Sequence, residues 1–125
     1  SLLAAIAMVA APLAVPSASL AHTKVVASTP AEGTTVGSAR VVTLTFSEAL
    51  LPPTAAASIV MTAMPGMANH GEMAIRNFTT SWSNGNKTMT LTLKKPLAKG
   101  TNEVHWQAAG ADGHRMTGKV SFIVG

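Results

Sequence analysis

RVVTLTFS, residues 40–47, alternates apolar and hydroxyl side chains, so an extended backbone sends Val42, Leu44 and Phe46 to one face and Thr43 and Thr45 to the other. The same period of two recurs in KTMTLTL (87–93), where Met89, Leu91 and Leu93 share a face, and in TGKVSFIV (117–124), where Val120, Phe122 and Val124 do. Four more short runs fit a half-buried strand: TKVVAS (23–28), AASIVMT (56–62), AIRNFTTSW (74–82) and NEVHWQAA (102–109). Between them stand TPAEGT, LPPT, MPGMANHGE, SNGN, KPLAKG and GADGHR, rich in the residues that turn a chain. No sustained helical periodicity interrupts this pattern after residue 22. Seven strands in one domain predict an all-β, immunoglobulin-like β-sandwich, without the Cys–Trp–Cys signature of antibody domains.

Composition narrows the possibilities. The 125 residues contain no cysteine, so neither a disulfide framework nor a thiolate metal site is available. Any soft metal site must then use methionine and histidine. Nine basic against five acidic residues give a net charge of +4, with the basic residues scattered apart from Lys94-Lys95. Few aromatics accompany them, which argues against a nucleic-acid surface.

Residues 1–21, SLLAAIAMVAAPLAVPSASLA, are uncharged, apolar and closed by small residues, the form of a secretory signal peptide cleaved after Ala21. A membrane anchor is the rival reading, weakened by Pro12 and Pro16 in a short segment. Cleavage leaves residues 22–125 as one domain beginning with His22.

The segment MTAMPGMANHGEM (61–73) holds four of the seven methionines: Met61, Met64, Met67 and Met73. Pro65-Gly66 breaks any helix there, at about 3 kcal/mol for the proline alone. A loop is expected. Clustered thioethers suit Cu(I), with His70 as a borderline donor beside them. A greasy patch for a protein partner, or simple packing, accounts for them equally well. Met61 is the weakest of these donors, because alternation with Ile59 turns it inward. Met89 reads as core.

A histidine at a mature N-terminus offers an α-amine and an imidazole from one residue, and GADGHR adds Asp112 and His114, two apart and on one side of an extended backbone. Two imidazoles, one amine and one carboxylate make a Cu(II) set. Singly, each residue has a plainer reading: His22 as a frayed terminus, Asp112 as a turn residue beside Gly113. His105 should face solvent opposite Val104, Trp106 and Ala108. Met116 is a neighbour of the Asp112–His114 pair or a core residue.

These pieces occur together in a recognisable order. HTKVVASTPAEG, FSEAL, VMTAMPGM, VHW and DGHRMTG make the chain resemble the CopC family of periplasmic copper-resistance proteins over nearly all of residues 22–125. The resemblance implies a Greek-key sandwich of cupredoxin-like barrel shape with two separate copper sites. Carried over by position, His22, Asp112 and His114 would hold Cu(II), while Met64, Met67, His70 and Met73, with Met61 possible, would hold Cu(I). Glu48 of FSEAL stands where the family has a carboxylate near the Cu(II) site. Two departures stand out: His70 follows Met67 by three residues, with Ala68 and Asn69 between, where the family has a step of two, so the segment is one residue longer and His70 is a weaker assignment than the methionines; and His105 stands where the family has an acidic residue.

The expected function is a non-enzymatic periplasmic protein that carries copper to other periplasmic or membrane copper-handling proteins and contributes to copper tolerance. A histidine-brace copper monooxygenase is the enzymatic alternative, disfavoured by the lack of tyrosine and by Asp112 in an equatorial position. A plain interaction sandwich is the third reading.

Overall fold

The computed structural model describes residues 23–64 and 73–125. The signal segment 1–21, His22, Met67 and His70 lie outside the described residues. Nine strands form two sheets: β1 (Val25–Thr29), β3 (Val41–Phe46), β7 (Thr88–Leu93) and β6 (Phe78–Ser83) in one, and β2 (Thr35–Val36), β9 (Arg115–Val124), β8 (Gly100–Gly110), β4 (Leu50–Ala63) and β5 (Met73–Ile75) in the other. Within the sheets the order is β1-β3-β7-β6 and β2-β9-β8-β4-β5.

The alternating runs supply the core. Val42, Leu44 and Phe46 of β3 and Met89, Leu91 and Leu93 of β7 are buried against Val104, Trp106 and Ala108 of β8 and Val120, Phe122 and Val124 of β9. Phe46 sits at the centre, its ring 4.8 Å from that of Trp106 in an edge-on contact and 6.2 Å from that of Trp82. Burying each such side chain is worth about 1.5–3 kcal/mol, so these rows fix the strand registers.

Each of the seven expected runs contributes a strand, with three differences. AIRNFTTSW divides at Arg76-Asn77, β5 joining one sheet and β6 the other. The two residues of β2 pair with β9 in parallel. LPPT, read as a turn, lies within β4. The prolines there cannot donate to a ladder, and the β4–β8 register slips between Leu51 and Ala56. Thr54 repairs the gap: its Oγ1 accepts from Ala109 N–H at 2.8 Å and donates to the Leu51 carbonyl at 2.6 Å.

The β4–β8 pair runs the length of the sandwich, from Leu50 opposite Gly110 to Ala63 opposite Thr101. The 11 residues of β8 span about 30 Å at the usual strand rise. Whatever stands at the two ends is separated by that distance.

Candidate functional site

One end is built on the turn joining β8 to β9. Gly113, at φ +83°, closes it, with its N–H donating to the Gly110 carbonyl at 2.9 Å. The turn folds Asp112 against His114. Asp112 Oδ1 accepts the His114 backbone N–H at 2.9 Å, and Asp112 Oδ2 accepts His114 Nδ1–H at the same distance. The His114 backbone donor, then its ring donor, hold the Asp112 carboxyl below the usual carboxylate range. The bond at Nδ1 turns Nε2 of the exposed imidazole away from the carboxylate, and in the neutral tautomer with the proton on Nδ1 that nitrogen has a lone pair for a metal. Each carboxylate oxygen keeps a second lone pair.

The alternation reading brought these two residues together for the wrong local reason. They meet through a turn rather than along an extended strand, so the carboxylate orients the imidazole as well as standing beside it.

The start of the described chain reaches the same end. Lys24 N–H donates to Ser47 Oγ at 3.1 Å, and Ser47 N–H returns a bond to the Lys24 carbonyl at 2.8 Å. Ser47 thereby holds residues 23–24 beside the loop that carries the exposed Glu48. Gly110 completes the junction: the position of a Cβ there would lie 3.5 Å from Asp112 Oδ1, 3.6 Å from Met116 Cε and 4.0 Å from Thr23 Oγ1. Thr23, the neighbour of His22, and Asp112 therefore flank one glycine. Met116 serves both readings given to it, packed against the core with its methyl beside this turn.

The other end carries the methionines. Met61 is buried with Ile59, as alternation allows, so packing accounts for it. Its cross-strand partner is Met73, which is 46% exposed. Directly paired residues share a face with Cβ atoms about 5 Å apart. Met64 is half-buried one residue beyond β4. Two residues that the sequence reading passed over support this end. A Cβ on Gly100 (φ +141°) would overlap the Ala63 carbonyl oxygen and lie 3.3 Å from Met64 Cα. Asn102, fully buried opposite Met61, donates to the Gly100 carbonyl at 3.3 Å and leaves its Oδ1 without a partner.

His105 faces solvent, as expected, its Nε2 3.0 Å from Glu103 Oε1. Lys119 Nζ lies 3.6 Å from the other oxygen of Glu103. Met89 is in the core. Among the described residues no group of three or more His, Asp or Glu side chains is placed to hold a metal, and no helix is long and apolar enough to cross a membrane.

A β-sandwich with an imidazole–carboxylate turn beside its first strand and thioethers at its far end is the class of protein this geometry defines. The family model described as the CopC domain matches residues 25–125, and the chain belongs to that family. It is 41% identical over 119 residues to copper resistance protein C of Pseudomonas syringae pv. tomato, covering 95% of this chain and 93% of that protein. It is 38% identical over 124 residues to copper resistance protein C of Xanthomonas campestris pv. juglandis, covering 99% and 95%. The fold is similar to the crystal structure of PcoC, a methionine-rich copper resistance protein from Escherichia coli, with a TM-score of 0.74 at 29% identity over 83% of this chain and 99% of that one.

Proposed function

We propose that the chain is an exported, non-enzymatic copper carrier of the periplasm, holding Cu(II) at one end and Cu(I) at the other and passing the ion to periplasmic or membrane copper-handling proteins. Copper is its cargo. The observation that carries the reading is the junction at Gly110, where Thr23 and the Asp112–His114 pair flank one residue while Met64 and Met73 stand about 30 Å away. Cleavage after Ala21 would leave His22 directly before Thr23. Its amine and imidazole would then join His114 Nε2 and the Asp112 carboxylate as nitrogen and oxygen donors for Cu(II). Met64, Met67, His70 and Met73, with the buried Met61 possible, are the soft set for Cu(I). Glu48 follows Ser47, which bonds to Lys24, and would lend negative charge to the first end.

The matched relatives bear the name copper resistance protein, which supports a role in tolerance. Thioethers are weakly basic and suit transfer, since a partner's ligands can replace them one at a time.

A protein processed with one additional residue before His22 tests the reading. Blocking the histidine's own amine should lower Cu(II) affinity at least tenfold in competition with a chelator and leave Cu(I) affinity unchanged. Equal Cu(II) affinity in both forms would overturn the site.

A further inference from the structure

Among the described residues the sheet edges are unequally protected. An exposed strand edge offers unpaired N–H and C=O groups to any extended chain, and proteins blunt such edges with shortness, bulges, prolines or charge. Here β2 and β5 are two and three residues long. The edge of β1 is bulged between Val25 and Ala27. The stretch of β4 beyond the reach of β5 carries Pro52 and Pro53. β6 has none of these devices: Phe78–Ser83 pairs with β7 through six consecutive residues without a register shift and contains neither charge nor proline.

The groups on its free side follow from the ladder. Lys94 N–H donates to the Asn77 carbonyl at 2.9 Å, which makes Asn77 and Lys94 a hydrogen-bonded pair. Such pairs alternate along an antiparallel ladder, so Thr79, Ser81 and Ser83 bond to β7. Phe78, Thr80 and Trp82 point their N–H and C=O outward. Beside them opens a groove of about 270 Å³ lined by Ala55, Ala56 and Ala57 of β4 and by Thr80, Trp82 and Met89. It suits small side chains on alternate positions of an added strand.

Charge selects among possible strands. At the start of β6 stand the exposed Arg76, Lys94 and Lys95, and among the described residues no carboxylate forms an ion pair with them. A second copy running antiparallel would bring its own Asn84–Lys87 turn toward Arg76, without negative charge to meet it. We infer that the free edge of β6 is a docking site for an extended segment of a partner protein, with an uncharged core of small side chains and acidic residues at the end lying beside Arg76 and Lys94. Main-chain hydrogen bonds supply the attraction and the basic cluster sets direction. Antiparallel addition puts the acidic residues at the segment's C-terminal end.

The test uses the full exported protein labelled with 15N and a synthetic octapeptide of alternating threonine and alanine closed by two aspartates. In the free protein the amides of Phe78, Thr80 and Trp82 should exchange at least tenfold faster than those of Thr79, Ser81 and Ser83. The peptide should slow exchange at the first three and leave the second three unchanged. Thr80→Pro removes an outward donor while sparing the β7 ladder and should abolish this protection. Lys94→Glu with Lys95→Glu, a surface change that leaves the core intact, should reverse the preference between the aspartate peptide and its lysine counterpart. Failure of the peptide to slow exchange, unchanged binding by folded Thr80→Pro, or equal affinity for both peptides would overturn the inference. So would a dimer in sedimentation with these amides already protected, which assigns the edge to a second copy.

Discussion

Asp112 does two jobs in one turn. Both of its oxygens bond to His114, one to the backbone and one to the ring, so the imidazole is held with Nε2 turned away from the carboxylate before any ion arrives. Asp112→Ala should therefore lower Cu(II) affinity about 10- to 100-fold, the usual effect of losing such a partner, with Cu(I) affinity unchanged in parallel chelator competitions. Loss of Cu(I) affinity to the same degree would mean that the substitution damages the fold. The residue types and spacing of this pair were readable in GADGHR, while its geometry was not, because Gly113 at positive φ replaces strand with turn. Gly118 shows a different limit. Nothing in TGKVSFIV singles it out, yet it lies opposite Trp106, and a Cβ there would come within 2.8 Å of the indole. Gly118→Ala should destabilise the domain by about 1–3 kcal/mol, an overpacking cost, seen as a lower urea midpoint at unchanged slope.

Strands with strict alternation, β3, β7 and β9, were recoverable because a single slip of register would expose the whole apolar row. β4 was not. Its fourteen residues begin at Leu50, and the two prolines that signalled a turn are accommodated by a bulge and by Thr54, a tertiary repair with no local signature. The division of 74–82 between sheets is equally silent, since β5 and β6 read as one apolar-polar run. At the far end of β4, Gly100 permits the Ala63 carbonyl to approach β8 and so sets where Met64 leaves the sheet. Gly100→Ala should displace that exit, lowering Cu(I) affinity about tenfold while the Cu(II) end, built on the other terminus of β8, keeps its affinity. Measuring both constants on the one variant distinguishes local displacement from general unfolding, which would lower both.

The two ends face opposite ways along a single rigid strand pair, and that geometry constrains how an ion could change places. Sites about 30 Å apart share no ligands, and effects at such separations are usually additive within about 0.5 kcal/mol. Filling one end should change affinity at the other by less than about threefold. Ligand preference nevertheless depends on valence, thioethers favouring Cu(I) and nitrogen or oxygen donors Cu(II). Protein loaded with Cu(I) under argon and then exposed to air, with dioxygen as the oxidant, should show X-ray absorption moving from sulfur-dominated to nitrogen and oxygen coordination. Among the described residues no group of three or more His, Asp or Glu side chains stands between the ends, so the ion should leave one before reaching the other. A mild Cu(II) chelator present during oxidation should then intercept most of the copper, whereas the same chelator added afterwards should remove it more slowly. Relocation unaffected by the chelator would require a path within the molecule, and unchanged sulfur coordination after oxidation would remove the two-valence assignment altogether.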